Sequence, residues 1–72
     1  FPGSEFFDAL GVLLLLYRAR EQAPRTVAEL EIGRRLQLEA EYLADLLAKL
    51  KALHLVGKLQ QDRSEAHWAL LC

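Results

Sequence analysis

Residues 39–60, EAEYLADLLAKLKALHLVGKLQ, decide the fold. Leu43, Leu46, Leu47, Leu50 and Leu53 recur three and four residues apart, which is the spacing of one helical face. Glu41, Asp45, Lys49 and Lys51 fill the other faces, so the pattern predicts a helix from residue 39 or 40 to residue 53 with a leucine stripe buried. His54 then stands where a helix end turns left-handed, a position that usually takes Gly and occasionally Asn or His. Beyond it, 55–61 and 66–72 flank the polar cluster Asp62-Arg63-Ser64-Glu65 and read as a β-hairpin, with Leu59, Trp68 and Leu70 on its inward face.

Upstream of this stretch, Gln37-Leu38 marks a tight break, and Thr26-Val27-Ala28-Glu29 has the form of a capping box that opens a short helix reaching to about residue 36. Leu30 and Leu36 are its expected inward residues. A first helix is predicted from residue 5 to about 22, with Ser4 as N-cap, Glu5 and Asp8 in the first turn, and Pro24 as terminator. Phe6, Leu10, Leu13, Leu14 and Tyr17 make one apolar face of it, while Phe7, Val12, Leu15 and Leu16 make it apolar elsewhere too. A helix apolar on most sides is either central in its fold or docked against another body. Because Ala9 and Gly11 are small enough to let a second helix approach, the candidate interaction face is Gly11, Val12, Leu15 and Leu16. The expected class is mostly α with a small β-hairpin, in the order of a winged helix-turn-helix: three helices plus wing.

Seventy-two residues suffice for one small domain whose core buries only about 60% of the unfolded chain's surface. Leucine and alanine supply 27 of them and asparagine none, which favours helix and excludes a β-sandwich or a disordered tail. No methionine occurs, and Gly3-Ser4-Glu5-Phe6 resembles a cloning junction, so residues 1–5 read as expression-vector sequence and 6–72 as one domain cut from a longer protein. The longest uncharged apolar run, 9–17, is about half of what a bilayer span needs.

Charge sorts along each helix with acids first and bases last, the order the helix dipole favours, at about 0.3–1 kcal/mol per well-placed group. Glu31–Arg35 and Asp45–Lys49 add pairs four residues apart. Nine bases against ten acids leave a net charge of −1 and no basic segment, so nucleic acid is a disfavoured partner. In a helix-turn-helix reader the start of the third helix would face the major groove, and here it presents Glu39, Glu41 and Asp45. Arg34, Arg35, Lys58 and Arg63 remain the only weak nucleic-acid candidates. A single cysteine, Cys72, permits no disulfide framework, and His54 and His67 are too few and too scattered for a metal site. Gly3, Gly11, Gly33 and Gly57 form no phosphate loop, so no catalytic, cofactor or metal residues are assigned.

Five stretches carry a likeness that covers nearly the whole chain: Phe7-Asp8-Ala9-Leu10, Leu16-Tyr17-Arg18-Ala19, Thr26-Val27-Ala28-Glu29-Leu30, Leu46-Leu47-Ala48-Lys49-Leu50 and Trp68-Ala69-Leu70-Leu71. Through them the chain resembles the C-terminal cytoplasmic region of the YihY/BrkB family of bacterial inner-membrane proteins, formerly labelled ribonuclease BN. It departs from the generic winged-helix pattern at Gln37 and His54, where glycine is common, and at Glu39, which replaces a Ser or Thr cap. The resemblance implies a membrane domain upstream, a cytoplasmic position beside the inner membrane, and solubility as an isolated fragment. It also carries a tRNA-processing label, although no residue here matches a nuclease motif. The expected role is a non-catalytic interaction or regulatory module whose partner is the remainder of the parent protein or a second copy; a DNA-binding transcription regulator is the alternative.

Overall fold

The computed structural model describes residues 1–60 and 64–71. Three helices, α1 (Gly3–Ala19), α2 (Glu29–Leu36) and α3 (Ala40–Ala52), are joined by three short strands, β1 (Val27–Ala28), β2 (Val56–Leu59) and β3 (His67–Leu70). The strands form one antiparallel sheet in the order β1-β3-β2, so the molecule is mostly helical with a small β part.

The leucine stripe of α3 builds the centre. Leu43, Leu46, Leu47 and Leu50 are buried against Ala9, Val12 and Leu16 of α1, Ile32 of α2, Val56 of β2 and Trp68 of β3. Leu53 caps the helix and is exposed, one turn beyond the core. The two breaks predicted at the helix ends are present as left-handed residues: Gln37 has φ 55° and His54 φ 61°. Glu39 takes the place of a Ser or Thr cap, because its carboxylate accepts from the backbone N–H groups of Glu41 and Tyr42 at 3.1 and 3.0 Å.

Several expectations are corrected. Ser4 lies inside α1, which begins at Gly3 after Pro2, so the first turn includes residues that read as vector sequence. The helix also ends at Ala19 rather than near 22. Thr26 caps nothing; Val27 and Ala28 are drawn into the sheet instead, opposite Trp68 and His67. With the local box gone, α2 takes its cap from the far end of the chain: the Leu30 N–H donates to the Glu65 carboxylate at 3.2 Å. Glu29, freed of its capping role, accepts from the Trp68 indole N–H at 3.0 Å. Leu30 points outward, 72% exposed, and Ile32 holds the buried position on α2; Leu36 packs at the edge of the core as expected.

On the sheet, the register pairs Val56 with Leu70 and Lys58 with Trp68. Strand side chains alternate, so Leu59 shares a face with Gly57 rather than with Val56 and is exposed. Trp68 is buried and Leu70 packs against the core, as predicted. Of the turn cluster, Asp62 and Arg63 lie outside the described residues, as do Gln61 and Cys72; on its far side the Gln60 amide donates to the Ser64 carbonyl at 2.9 Å.

Candidate interaction surface

The first helix has two apolar sides, and the fold buries one of them. Ala9, Val12 and Leu16 point into the core, with Leu13 and Leu15 packed at its margin. Phe6, Leu10 and Leu14 lie on the opposite side, one helical turn apart, with Phe7 and Tyr17 beside them. All five are exposed, Phe7 to 72% and the others to about half. Aromatic side chains carry about 150–250 Å² each, so the stripe presents roughly 500 Å² of apolar surface, at the upper end of what monomers leave open.

The polar contacts of α1 explain which side turned in. Its two acids, Glu5 and Asp8, reach toward α3. The Lys49 ammonium donates to both Glu5 oxygens at 3.0 and 2.9 Å, and the Tyr42 hydroxyl donates to the Asp8 carboxylate. Asp8 thereby raises the Tyr42 phenol to about 12, with partial burial and the Glu5 charge adding to the effect. Ala9 is buried in the core, and Gly11 lies against the Leu36 side chain, which an added Cβ would meet at 3.6 Å in ordinary van der Waals contact. The outer stripe is left without a charge along three turns. Phe6 and Phe7 stand edge to face at its start, and the Arg20 guanidinium lies over the Tyr17 ring at its end, 5.6 Å from the centroid.

The interaction face expected from the sequence is therefore corrected. Val12 and Leu16 are fully buried, Leu15 is half-buried, and Gly11 is covered by α2. The open surface consists instead of Phe6, Leu10, Leu14 and Tyr17, from the other apolar face read in the sequence, together with Phe7.

Among the described residues, the weak nucleic-acid candidates Arg34, Arg35 and Lys58 are each engaged within the fold. Arg34 and Arg35 both bind Glu31, at 2.6 and 2.8 Å, and Lys49 is held by Glu5 rather than by Asp45. The hydrogen bonds from Arg34 and then Arg35 pull the Glu31 carboxyl from its usual 4.5 to about 2. Lys58 lies over the Trp68 ring at 5.9 Å, and Arg63 falls outside the described residues. The exposed side of α3 carries Glu41 and Asp45 near its start. His54 and His67 are both exposed and far apart in the chain, and among the described residues no three His, Cys, Asp or Glu side chains stand close enough to hold a metal ion. A cleft beside α1, about 320 Å³ between Leu15, Arg18, Pro24 and Val27, is bordered by the Glu31–Arg35 pair. Ser64, Glu65 and His67 border a separate open cleft with Leu59, where the Glu65 carboxylate is engaged by the Leu30 N–H.

The chain matches known sequences along its whole length. It is 81% identical over 72 residues to a UPF0761 membrane protein of Ralstonia nicotianae. It is 34% identical over 71 residues to UPF0761 membrane proteins of Paraburkholderia xenovorans and Bordetella petrii. Its close homologues are UPF0761 membrane proteins. That family is also called YihY/BrkB, the one the sequence resembles. The chain spans only about 15–16% of the length of these relatives. Among the described residues no helix is long and apolar enough to cross a membrane. No family model and no solved structure matches the chain.

Proposed function

We propose that this chain is a non-catalytic interaction module of winged-helix type within a UPF0761 membrane protein, placed at the cytoplasmic side of the inner membrane. The observation that carries the reading is the uncharged outer stripe of α1, Phe6, Phe7, Leu10, Leu14 and Tyr17, left open by a fold whose own core is closed without it. Apolar surface of this extent on so small a body marks a contact site. The pairing of Glu31, Arg34, Arg35, Glu5 and Lys49 with one another supports the same reading, since those charges serve the scaffold rather than a ligand.

The test uses a full-length UPF0761 membrane protein carrying this domain. A photo-activated cross-linking residue at position 10 or 7 should give protein adducts, and the same residue at position 44 on the outer side of α3 should give few. Equal labelling from both positions would remove α1 as the contact site.

One observation favours a second reading. Helix α2, the left-handed turn at Gln37, α3 and the β2–β3 hairpin follow one another in the order of a DNA-reading winged helix. Against it stand Glu39, Glu41 and Asp45 at the groove-facing start of α3. Titration of mixed-sequence duplex at low salt, where phosphate attraction is strongest, should leave the amide resonances of Arg34, Arg35 and Lys58 unmoved. Saturable shifts there would establish DNA binding instead.

A further inference from the structure

The stripe on α1 has an order of its own. About a point level with residue 12, Leu10 is matched by Leu14 and Phe7 by Tyr17, so the row reads aromatic, leucine, leucine, aromatic in either direction. The helix carries its acids, Glu5 and Asp8, in the first half and its bases, Arg18 and Arg20, at the far end. In an antiparallel pair related by a two-fold axis, residues equally far above and below the axis face each other, so this order would set leucine against leucine and aromatic against aromatic.

Resting on the reading of this face as the interaction surface, we propose that its partner is the same face on a second copy of the chain. The two α1 helices pack antiparallel across a two-fold axis level with residue 12. Leu10 of each copy meets Leu14 of the other, and Phe7 meets Tyr17 at both ends. The antiparallel sense brings Arg18 of one copy beside the Phe6 ring of the other and opposes the two helix dipoles; a parallel pair would stack Arg18 on Arg18. Facing stripes of roughly 500 Å² each bury roughly 1,000 Å², which lies at the lower edge of specific interfaces. The association of the free chain is accordingly weak, in the micromolar range or above, and two copies anchored in one membrane would meet at a much higher effective concentration. A lipid surface fits less well: helices that lie on membranes flank their apolar face with bases, and here the bases of α1, Arg18 and Arg20, stand at one end of the stripe in a chain of net charge −1.

Sedimentation of the chain across the micromolar range tests the pairing. The chain should pass from monomer to dimer as its concentration rises. Leu10→Lys and Leu14→Glu, both at half-exposed positions, should keep the circular dichroism of the parent yet each weaken association at least about tenfold, because each buries charge against leucine. An equimolar mixture of the two variants should associate again. The introduced lysine of one copy then faces the introduced glutamate of the other, while an unaltered leucine pair faces across the rest of the axis. A chain that stays monomeric, variants that associate like the parent, or a mixture that gains nothing would each overturn the pairing. The full-length cross-linking experiment separates the two levels of failure. Adducts from position 10 confined to the protein's own membrane-embedded part would overturn the second copy while keeping the interaction surface; no adducts of either kind would overturn both.

Discussion

Helices α3 and α1 are both rich in leucine, and they differ in how much they leave to be decided by the rest of the molecule. In α3 the buried positions Leu43, Leu46, Leu47 and Leu50 alternate with Glu41, Asp45, Lys49 and Lys51, so only one orientation keeps charge in water. In α1 apolar residues run round the helix, and burying either side would satisfy the hydrophobic effect about equally. The choice falls to a smaller term, the anchoring of Glu5 and Asp8 to Lys49 and Tyr42. A helix with one apolar side is used up by folding. A helix with two has one to spare, and the spare side of α1 is where the larger aromatic residues sit.

The comparison is sharpened most by truncation of the core. Leu47→Ala should cost about 2–5 kcal/mol, a large part of what holds a chain of this size, whereas Leu14→Ala on the outer stripe should stay within about 0.5 kcal/mol. Urea denaturation of both variants measures the difference, and equal losses would break the distinction between the two sides. Next in size come the left-handed residues that end α2 and precede the sheet. Gln37→Gly and His54→Gly should each raise the unfolding free energy by about 1 kcal/mol or less, read as a higher urea midpoint, since glycine adopts φ near 60° without a Cβ penalty.

The α1–α3 anchor has a pH signature. Tyr42 titrates at about 12 in the fold against its usual 10.0, so its bond to Asp8 contributes fully below pH 10 and is lost as the pH rises from there through 12. Tyr42→Phe should remove that alkaline dependence from thermal unfolding curves. The smallest effect lies at the surface of α2. Glu31, lowered to about 2 by Arg34 and Arg35, contributes above its usual 4.5, and that contribution fades as the pH falls from 4.5 through 2. Its side-chain resonance should titrate near 2 in the parent and move toward 4.5 in Arg34→Gln with Arg35→Gln.

Much of the fold is legible in the sequence because its signals are local. The α3 stripe, the break at Gln37, the left-handed His54 and the hairpin around Trp68 each follow from a few neighbouring residues. What fails depends on partners distant in the chain. Thr26–Glu29 has the letters of a capping box, but pairing of Val27 and Ala28 with β3 makes them a strand, and Glu65 supplies the cap across 35 residues. Leu59 reads as inward by its size, although the register set by Val56 and Leu70 puts it outside. The candidate surface shifts for the same reason. Spacing alone gives two apolar faces on α1, and only the contacts of Asp8 with Tyr42 and Glu5 with Lys49 say which is covered. The open stripe is present in the sequence as the group Phe6, Leu10, Leu14 and Tyr17; its outward direction is not.

The orientation of α1 is therefore the point to test, and thermal unfolding of a lysine scan along residues 9–17 does so directly. We expect Val12→Lys and Leu16→Lys to abolish the cooperative transition, because each forces a charge into a closed core, while Leu10→Lys and Leu14→Lys leave the monomer's midpoint within a few degrees of the parent. The reverse pattern, with lysine tolerated at 12 and 16 and ruinous at 10 and 14, would contradict the placement of the stripe on the outside and with it the proposed contact.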